Sequence, residues 1–331
     1  MKIEEIFQEL KINKEKFEDL HITRKFSSLM AISNGKVIAM TDPWMKNCLL
    51  FDKLNLKIND VDKNLIKDSI KQAVEEKIEK FGSFTAGREL EREDIAVPYG
   101  ASEMMMYAIK KGGIDAAVTV CDGAGTVISD SPSLIQGIGA RMNGLFYTTP
   151  IPDIIKGIED KEGIVVFPDT AGIDQIAGLK KAAENGYKKI AVTINGFMDD
   201  DISCIPVIEK EYGIKAVIII VCTTGISKKR IDHLARWADL IWSCASGEVR
   251  EIAGRLSILQ ISLGIPVFVL TQKGLDFTAN YSSEPDLIRG LALNGQYLIS
   301  NKFKGISIKM GDIFTYLSKS NLPVRSKKEP G

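Results

Sequence analysis

Cys121, Cys222 and Cys244 each close a short apolar run and stand before residues rich in Gly, Ser and Thr. The first run is Ile114 to Val120, followed after Cys121 by Asp122, Gly123, Ala124, Gly125 and Thr126. The second, Ala216 to Val221, ends at Cys222 and leads into Thr223, Thr224, Gly225 and Ser227, and the third, Ala238 to Ser243, ends at Cys244 before Ala245, Ser246 and Gly247. Thiolates are soft ligands, and three of them can hold an iron-sulfur cluster while leaving one iron open to a substrate. Cys48, after the turn Asp42-Pro43-Trp44, can replace or join that trio. No C-x-x-C pair supports the set by spacing, and the plain alternative is that these thiols pack as small apolar side chains in buried strands. Cys204 lies in a helical stretch and reads as a core thiol.

The glycines suggest a second chemistry. Gly123-Ala-Gly125 follows a strand as a phosphate-binding loop would, but Ile128 stands where a dinucleotide fingerprint needs its third small residue, and no Gly-Lys-Ser/Thr follows. A milder form remains, in which backbone N-H groups at a helix start hold a carboxylate or phosphate. Its candidate contacts are Gly123, Gly125, Thr126, Arg141, Thr223, Thr224, Ser246 and Arg250. Asp122 and Asp169 are the candidate catalytic acid and base, with Glu248 beside them. Cys121 as a nucleophile is disfavoured, because the neighbouring Asp122 carboxylate raises a thiol pKa. Arg88 and Arg92 are expected in a solvated charged loop, and His21 and His233 at the surface or an interface. With those two histidines as the full complement, zinc proteases and Ser/His/Asp hydrolases are poor fits.

These residues need a scaffold that brings distant strand ends together. Short apolar runs alternate with helices from Val97 onward and end near 121, 167, 195, 222, 244 and 270. Continuous apolar strands of this kind are buried on both faces. The expectation is therefore an α/β fold, a mostly parallel sheet of about six strands with helices on both faces and a site beyond their carboxyl ends. Before it, an N-terminal helix and a hairpin turning at Asn34-Gly35 are expected, then an amphipathic helix over 60–81. The expected organisation is an N-terminal helical and hairpin region over 1–95, a core over 96–280 and a C-terminal extension over 281–331.

Composition narrows the partners. Lys+Arg and Asp+Glu are balanced at 43 each, which gives no overall field for nucleic acid or an anionic membrane. The charged N-terminus does not resemble a signal peptide, and an odd count of five dispersed cysteines does not suggest a disulfide framework. A cytoplasmic protein that binds a small molecule is expected, with a protein partner or self-association as further options.

The chain resembles the methanogenesis marker protein 8 family, a domain of unknown function. The resemblance rests on Val97-Pro-Tyr-Gly-Ala-Ser-Glu103, Val120-Cys-Asp-Gly-Ala-Gly-Thr-Val127, Gln136-Gly-Ile-Gly-Ala-Arg-Met142, the Ile151-Pro-Asp153 region, Thr223-Thr-Gly-Ile-Ser227 and Cys244-Ala-Ser246. It covers roughly residues 20 to 280. It implies an anaerobic, cytoplasmic setting and an accessory role around methyl-coenzyme M reductase or its cofactors. Two functions are carried forward: binding of a small anionic or sulfur-containing ligand at the strand ends through a Cys-ligated iron-sulfur cluster, and a non-enzymatic maturation or assembly factor acting through a protein partner.

Overall fold

A computed structural model of the chain describes residues 2–25, 27–43, 63–95, 97–140, 142, 144–198, 201–302 and 304–325. Cys48 and Arg141 lie outside the described residues.

The amino-terminal elements are α1 (Ile3–Leu10), β1 (His21–Lys25), β2 (Ser28–Ser33), β3 (Lys36–Met40) and α2 (Lys63–Phe81). Asn34 and Gly35 make the β2–β3 turn with φ of 48° and 70°, the left-handed pair that Asn-Gly supplies at least cost. The chain continues through α3 (Ala101–Lys110), β4 (Ala116–Cys121), β5 (Gly125–Ser129), α4 (Pro132–Gly139) and β6 (Gly144–Thr148). Strand β6 returns to the first sheet, giving an antiparallel order β3-β2-β1-β6. Helix α2 packs Ile66, Ile70, Val74 and Ile78 on one face of this sheet, and α1 packs Ile6, Phe7 and Leu10 on the other. Burying each such side chain contributes about 1.5–3 kcal/mol, which offsets the polar character of the rest of α2.

The remaining elements are α5 (Pro152–Glu159), β7 (Ile164–Val165), α6 (Gln175–Glu184), β8 (Lys189–Asn195), α7 (Ile205–Tyr212), β9 (Lys215–Val221), α8 (Lys228–Ala235) and β10 (Leu240–Trp242). After them come α9 (Gly247–Leu256), β11 (Leu259–Ile261), β12 (Val267–Val269), α10 (Gln272–Ala279), α11 (Pro285–Arg289), β13 (Tyr297–Ser300), β14 (Ile306–Met310) and β15 (Ile313–Lys319). With β4 and β5, their strands form one sheet of 11 strands in the order β14-β15-β13-β11-β12-β10-β9-β8-β4-β5-β7.

The fold is mixed α/β, but the parallel part is smaller than the expected six strands. Strands β4, β8, β9 and β10 are parallel neighbours, and β5, β7 and β12 run antiparallel to their partners. For β4–β5 and β11–β12 the physical reason is connection length: a parallel return needs a crossover of a dozen or more residues, whereas a few residues make a hairpin. Gly123 and Ala124 turn β4 directly into β5, so the glycine stretch is a hairpin turn rather than a loop opening a helix. Helix α9 ends at Leu256, and the apolar residues after it form β11, which pairs antiparallel with β12.

Around the parallel strands burial alternates with period two. Ala117, Ala191, Ile219 and Leu240 face a cluster that includes Met104, Met105, Leu275 and Ile288 of α3, α10 and α11. Val118, Val192, Ile220 and Ile241 face the opposite cluster with Leu179, Ile208, Ile231 and Val249 of α6 to α9. Both faces are covered, which leaves the carboxyl-end edge of β4, β8, β9 and β10 as the place where side chains can converge. Over that edge lies the small sheet: Asn195 Nδ2 donates to the Leu145 carbonyl at 3.4 Å, and Phe197 packs on Phe146.

Candidate thiol and cation site

The two turns that end β9 and β10 repeat one design. Cys222-Thr-Thr-Gly225 and Cys244-Ala-Ser-Gly247 both read Cys, any residue, Ser or Thr, Gly, and each leads into a helix whose first turn is capped by a serine. Ser227 Oγ accepts the Arg230 N-H at the start of α8, and Ser246 Oγ accepts the Val249 N-H at the start of α9. Such a cap contributes about 1 kcal/mol. Both cysteines have left-handed backbones, with φ of 59° at Cys222 and 47° at Cys244. A side chain in that region costs roughly 1–2 kcal/mol, where glycine would be free of the penalty.

The expected ligand contacts here hold the two turns in place. Thr223 Oγ1 donates to the Trp242 carbonyl at 2.6 Å, and the Ala245 N-H donates to Thr224 Oγ1 at 3.3 Å. Arg250 Nη2 donates to the Cys244 carbonyl at 3.2 Å and to the Gly264 carbonyl at 3.1 Å. Thr223, Thr224, Ser246 and Arg250 are thus gathered with Cys222 and Cys244 at one edge, and their polar atoms bind its backbone.

Sequence reasoning missed the cation of this site. Arg24, on β1, is 8% exposed, and its guanidinium carbon sits 4.3 Å from the centroid of the Phe197 ring. Its Nη2 reaches the Cys222 carbonyl at a long 3.4 Å, and no described carboxylate lies within 4.0 Å of it. Burial lowers its proton affinity, while Cys222, Cys244 and Glu9 act in the opposite direction. The Cys222 thiol is pushed up to about 12, first by burial and then by Cys244, against the pull of Arg24. Gly144 of β6 completes the wall: a Cβ there would stand 3.0 Å from Cys222 Sγ, so only glycine leaves the sulfur its present space. Both thiols are free and half-buried.

Cys121 and Asp122 form a different centre. Asp122 is 1% exposed and accepts Arg88 Nε at 2.7 Å and the Phe84 N-H at 2.5 Å. Burial acts to raise the Asp122 carboxyl, but the Arg88 charge and the Phe84 bond outweigh it and hold the group below its ordinary range. Arg88 is buried and also donates to the Ile138 carbonyl at 2.8 Å, so it belongs to an interior ion pair and not to a solvated loop. Cys121 is fully buried beside this pair, in an apolar cluster with Ala124, Val127 and Ile154, and burial pushes its thiol up to about 12. Among the described residues no three His, Cys, Asp or Glu side chains group to hold a metal ion.

The other glycine-loop candidates serve the fold. The Gly123 N-H donates to Thr148 Oγ1 at 2.7 Å, Gly125 packs against the backbone of Ala171 and Gly172, and Thr126 Oγ1 donates to Gln175 Oε1 at 3.0 Å. All three are buried. Asp169 lies exposed on the loop before α6. His21, expected at a surface, is fully buried: Nδ1 meets Thr148 Oγ1 at 2.6 Å and Nε2 meets Asp19 Oδ1 at 2.7 Å. Asp19, His21, Thr148 and the Gly123 N-H thus form one chain of hydrogen bonds from β1 to the β4–β5 turn. Cys204 Sγ lies 2.9 Å from the Asp201 carbonyl in the turn before α7, away from both centres.

Among the described residues no helix is long and apolar enough to cross a membrane. Residues 21–281 match the family model described as an uncharacterized protein conserved in archaea, DUF2099. An uncharacterized protein of Methanocaldococcus jannaschii, MJ0054, is 38% identical over 260 residues, covering 78% of this chain and 89% of that protein. Both matches span the two thiol turns, Arg24 falls within the residues matched by the family model, and the chain belongs to this conserved archaeal family.

Proposed function

We propose that the protein binds a small anionic or sulfur-containing ligand at the carboxyl ends of β9 and β10, between Arg24 and the Cys222–Cys244 pair. One observation carries the reading: two cysteines with the same strained backbone flank a buried guanidinium that has no described carboxylate partner. A buried charge costs several kcal/mol unless it is compensated, and an anionic ligand would supply the missing compensation. Strain of this type collects at functional sites because the surrounding structure must over-determine it. Asp122, by contrast, is committed to Arg88, and its part in this account is to fix the neighbouring loop.

The iron-sulfur form of the proposal needs three or four thiolates. Cys222 and Cys244 stand on neighbouring turns, and a cluster would require at least one more thiolate, for which Cys48, outside the described residues, is the candidate. We further propose that the family is that of methanogenesis marker protein 8, with the cytoplasmic, anaerobic setting this implies. Exposed Phe314 and Ile306 on the β14–β15 hairpin favour the second reading, an assembly factor acting through a protein partner.

Thermal unfolding with separate small carboxylates, sulfonates, phosphates and thiols tests the leading proposal. A ligand that binds only the folded state raises the transition by an amount that grows with the logarithm of one plus the ratio of free ligand to Kd. At least one probe should raise the midpoint of the native chain and not that of Arg24→Gln. Equal shifts in both proteins, or none in either, would contradict the site.

A further inference from the structure

We propose that residues 320–325 form a releasable brace that sets the Cys244 turn, and that lifting it loosens the ligand site at the ends of β9 and β10. For its functional meaning this rests on the reading of that edge as a ligand site, while the brace itself rests on the contacts of the segment. Strand β15 ends at Lys319, and the residues after it attach to β11, to α9 and to the loop before β13. Gln296 Oε1 accepts the Leu322 N-H at 2.9 Å. Gln260, on β11, grips Val324 twice: its Oε1 accepts the Val324 N-H at 2.9 Å, and its Nε2 donates to the Val324 carbonyl at 2.8 Å. Pro323 fills a notch at Gly254 of α9, where a Cβ would stand 2.7 Å from the Pro323 Cβ, and Arg325 pairs with Glu251 on the same helix.

A short relay of hydrogen bonds joins these attachments to the thiol edge. Gln260 Nε2 also donates to the Ser262 carbonyl at 3.0 Å, and Ser262 Oγ accepts the Gly264 N-H at 3.3 Å. The Gly264 carbonyl accepts Arg250 Nη2, whose other acceptor is the Cys244 carbonyl. Gln260 and Arg250 are both buried, so solvent does not replace a bond that either loses. Ser262 holds a left-handed φ of 69°, a conformation that persists only where its surroundings enforce it. Helix α9 carries Arg250, Glu251 and Gly254 within little more than one turn. One rigid element therefore receives the segment and grips the Cys244 turn.

Two features make the brace releasable. Its hold is peripheral: Leu322 is buried, but Asn321 and Arg325 are exposed, and an exposed ion pair such as Arg325–Glu251 does little to order a chain end. Ser320 and Asn321 line a cavity of about 580 Å³ with Gln296 and Lys319, which leaves the chain room to pivot after β15. Local openings of this kind lie at the low end of a protein's stability range. Release and ligand binding are then linked in both directions: a ligand that needs the Cys244 turn in place holds the segment down, and the docked segment favours the ligand.

The test uses the full chain with Leu322→Asp or Gly254→Ala, changes that lift the segment and leave Gln260, Ser262, Arg250 and Cys244 in place. Amide hydrogen exchange at Leu322 and Val324 reads the release, and alkylation by iodoacetamide, resolved cysteine by cysteine, reads the Cys244 turn. Release should speed alkylation of Cys244 about tenfold, within the usual range of coupling between sites. Cys204 and the fully buried Cys121 should keep their rates. Should Leu322→Asp not fold, Gly254→Ala decides, because its added methyl meets Pro323 directly. Unchanged exchange at Leu322 and Val324 in both variants, faster exchange with an unmoved Cys244, or equal acceleration at Cys121 would each overturn the proposal. An anion probe that stabilises the native chain should slow exchange at Val324 and bind the released variants about tenfold more weakly. A Cys244 response without any probe response would contradict the ligand reading alone. A probe response with an unmoved Cys244 would contradict the brace alone.

Discussion

Cys222 and Cys244 end neighbouring parallel strands with the same left-handed backbone, and Arg24 from another sheet places its guanidinium beside them. Three segments far apart in sequence meet at that point. The contact between Arg24 and Cys222 spans 198 positions. The thiols stand on turns tied down by Thr223, Thr224 and Arg250, so their placement is set before any ligand arrives.

The Arg88–Asp122 pair should behave as a structural element. Asp122→Asn leaves a buried guanidinium without its counter-charge, and removing one member of such a pair costs about 3–5 kcal/mol. Denaturant unfolding should show a loss in that range. A loss below about 1 kcal/mol would contradict a structural role.

Thr148→Val should uncouple the small sheet from the β4–β5 turn. It removes the hydroxyl that meets His21 Nδ1 and accepts the Gly123 N-H, and each buried group left unsatisfied costs about 1–3 kcal/mol. Stability should fall by at least that amount, and amide exchange should rise first at Gly123. Unchanged exchange there would show that the hydrogen-bond chain does not hold the turn.

Glu103 gives a pH dependence of known sign. It is 1% exposed, accepts a hydrogen bond from Tyr281, and leaves its second carboxyl oxygen without a partner among the described residues. Burial pushes it up to about 7 from an ordinary 4.5, the Tyr281 bond acting in the other direction. The folded state therefore holds a proton that the unfolded state has released. Stability from this group is complete below pH 4.5 and is lost as pH rises through about 7, at up to about 1.4 kcal/mol per pH unit. Glu103→Gln should flatten that slope between those limits. An unchanged slope would assign it to other groups.

The core strands were legible because continuous apolar runs can only be buried on both faces, as Ile190 to Ile194 and Ala216 to Val221 are. Strand direction was not. Gly123 and Ala124 look alike in sequence whether they open a helix or turn a hairpin, and the pairing of β5 with β4 decides it. Strand β11 was hidden because Leu256 to Ile261 extends an apolar helix pattern without a glycine or proline stop. Cys222 and Cys244 could be found as strand ends, and their shared C-x-Ser/Thr-Gly pattern was visible. Arg24 could not be, since nothing local in Ile22-Thr-Arg24-Lys25 distinguishes it from a solvated strand residue. His21 is a similar case: its burial depends on Thr148, 127 positions away.

The most direct measurement of the central claim is a thiol count after treatment of the native chain with one equivalent of a monosubstituted trivalent arsenical, which closes only on two sulfurs in mutual reach. Two thiols should disappear together, either Cys222→Ser or Cys244→Ser should prevent the loss, and Cys121→Ser should not. Retention of all thiols, or a loss that survives both the Cys222 and Cys244 changes, would contradict a shared site at the ends of β9 and β10.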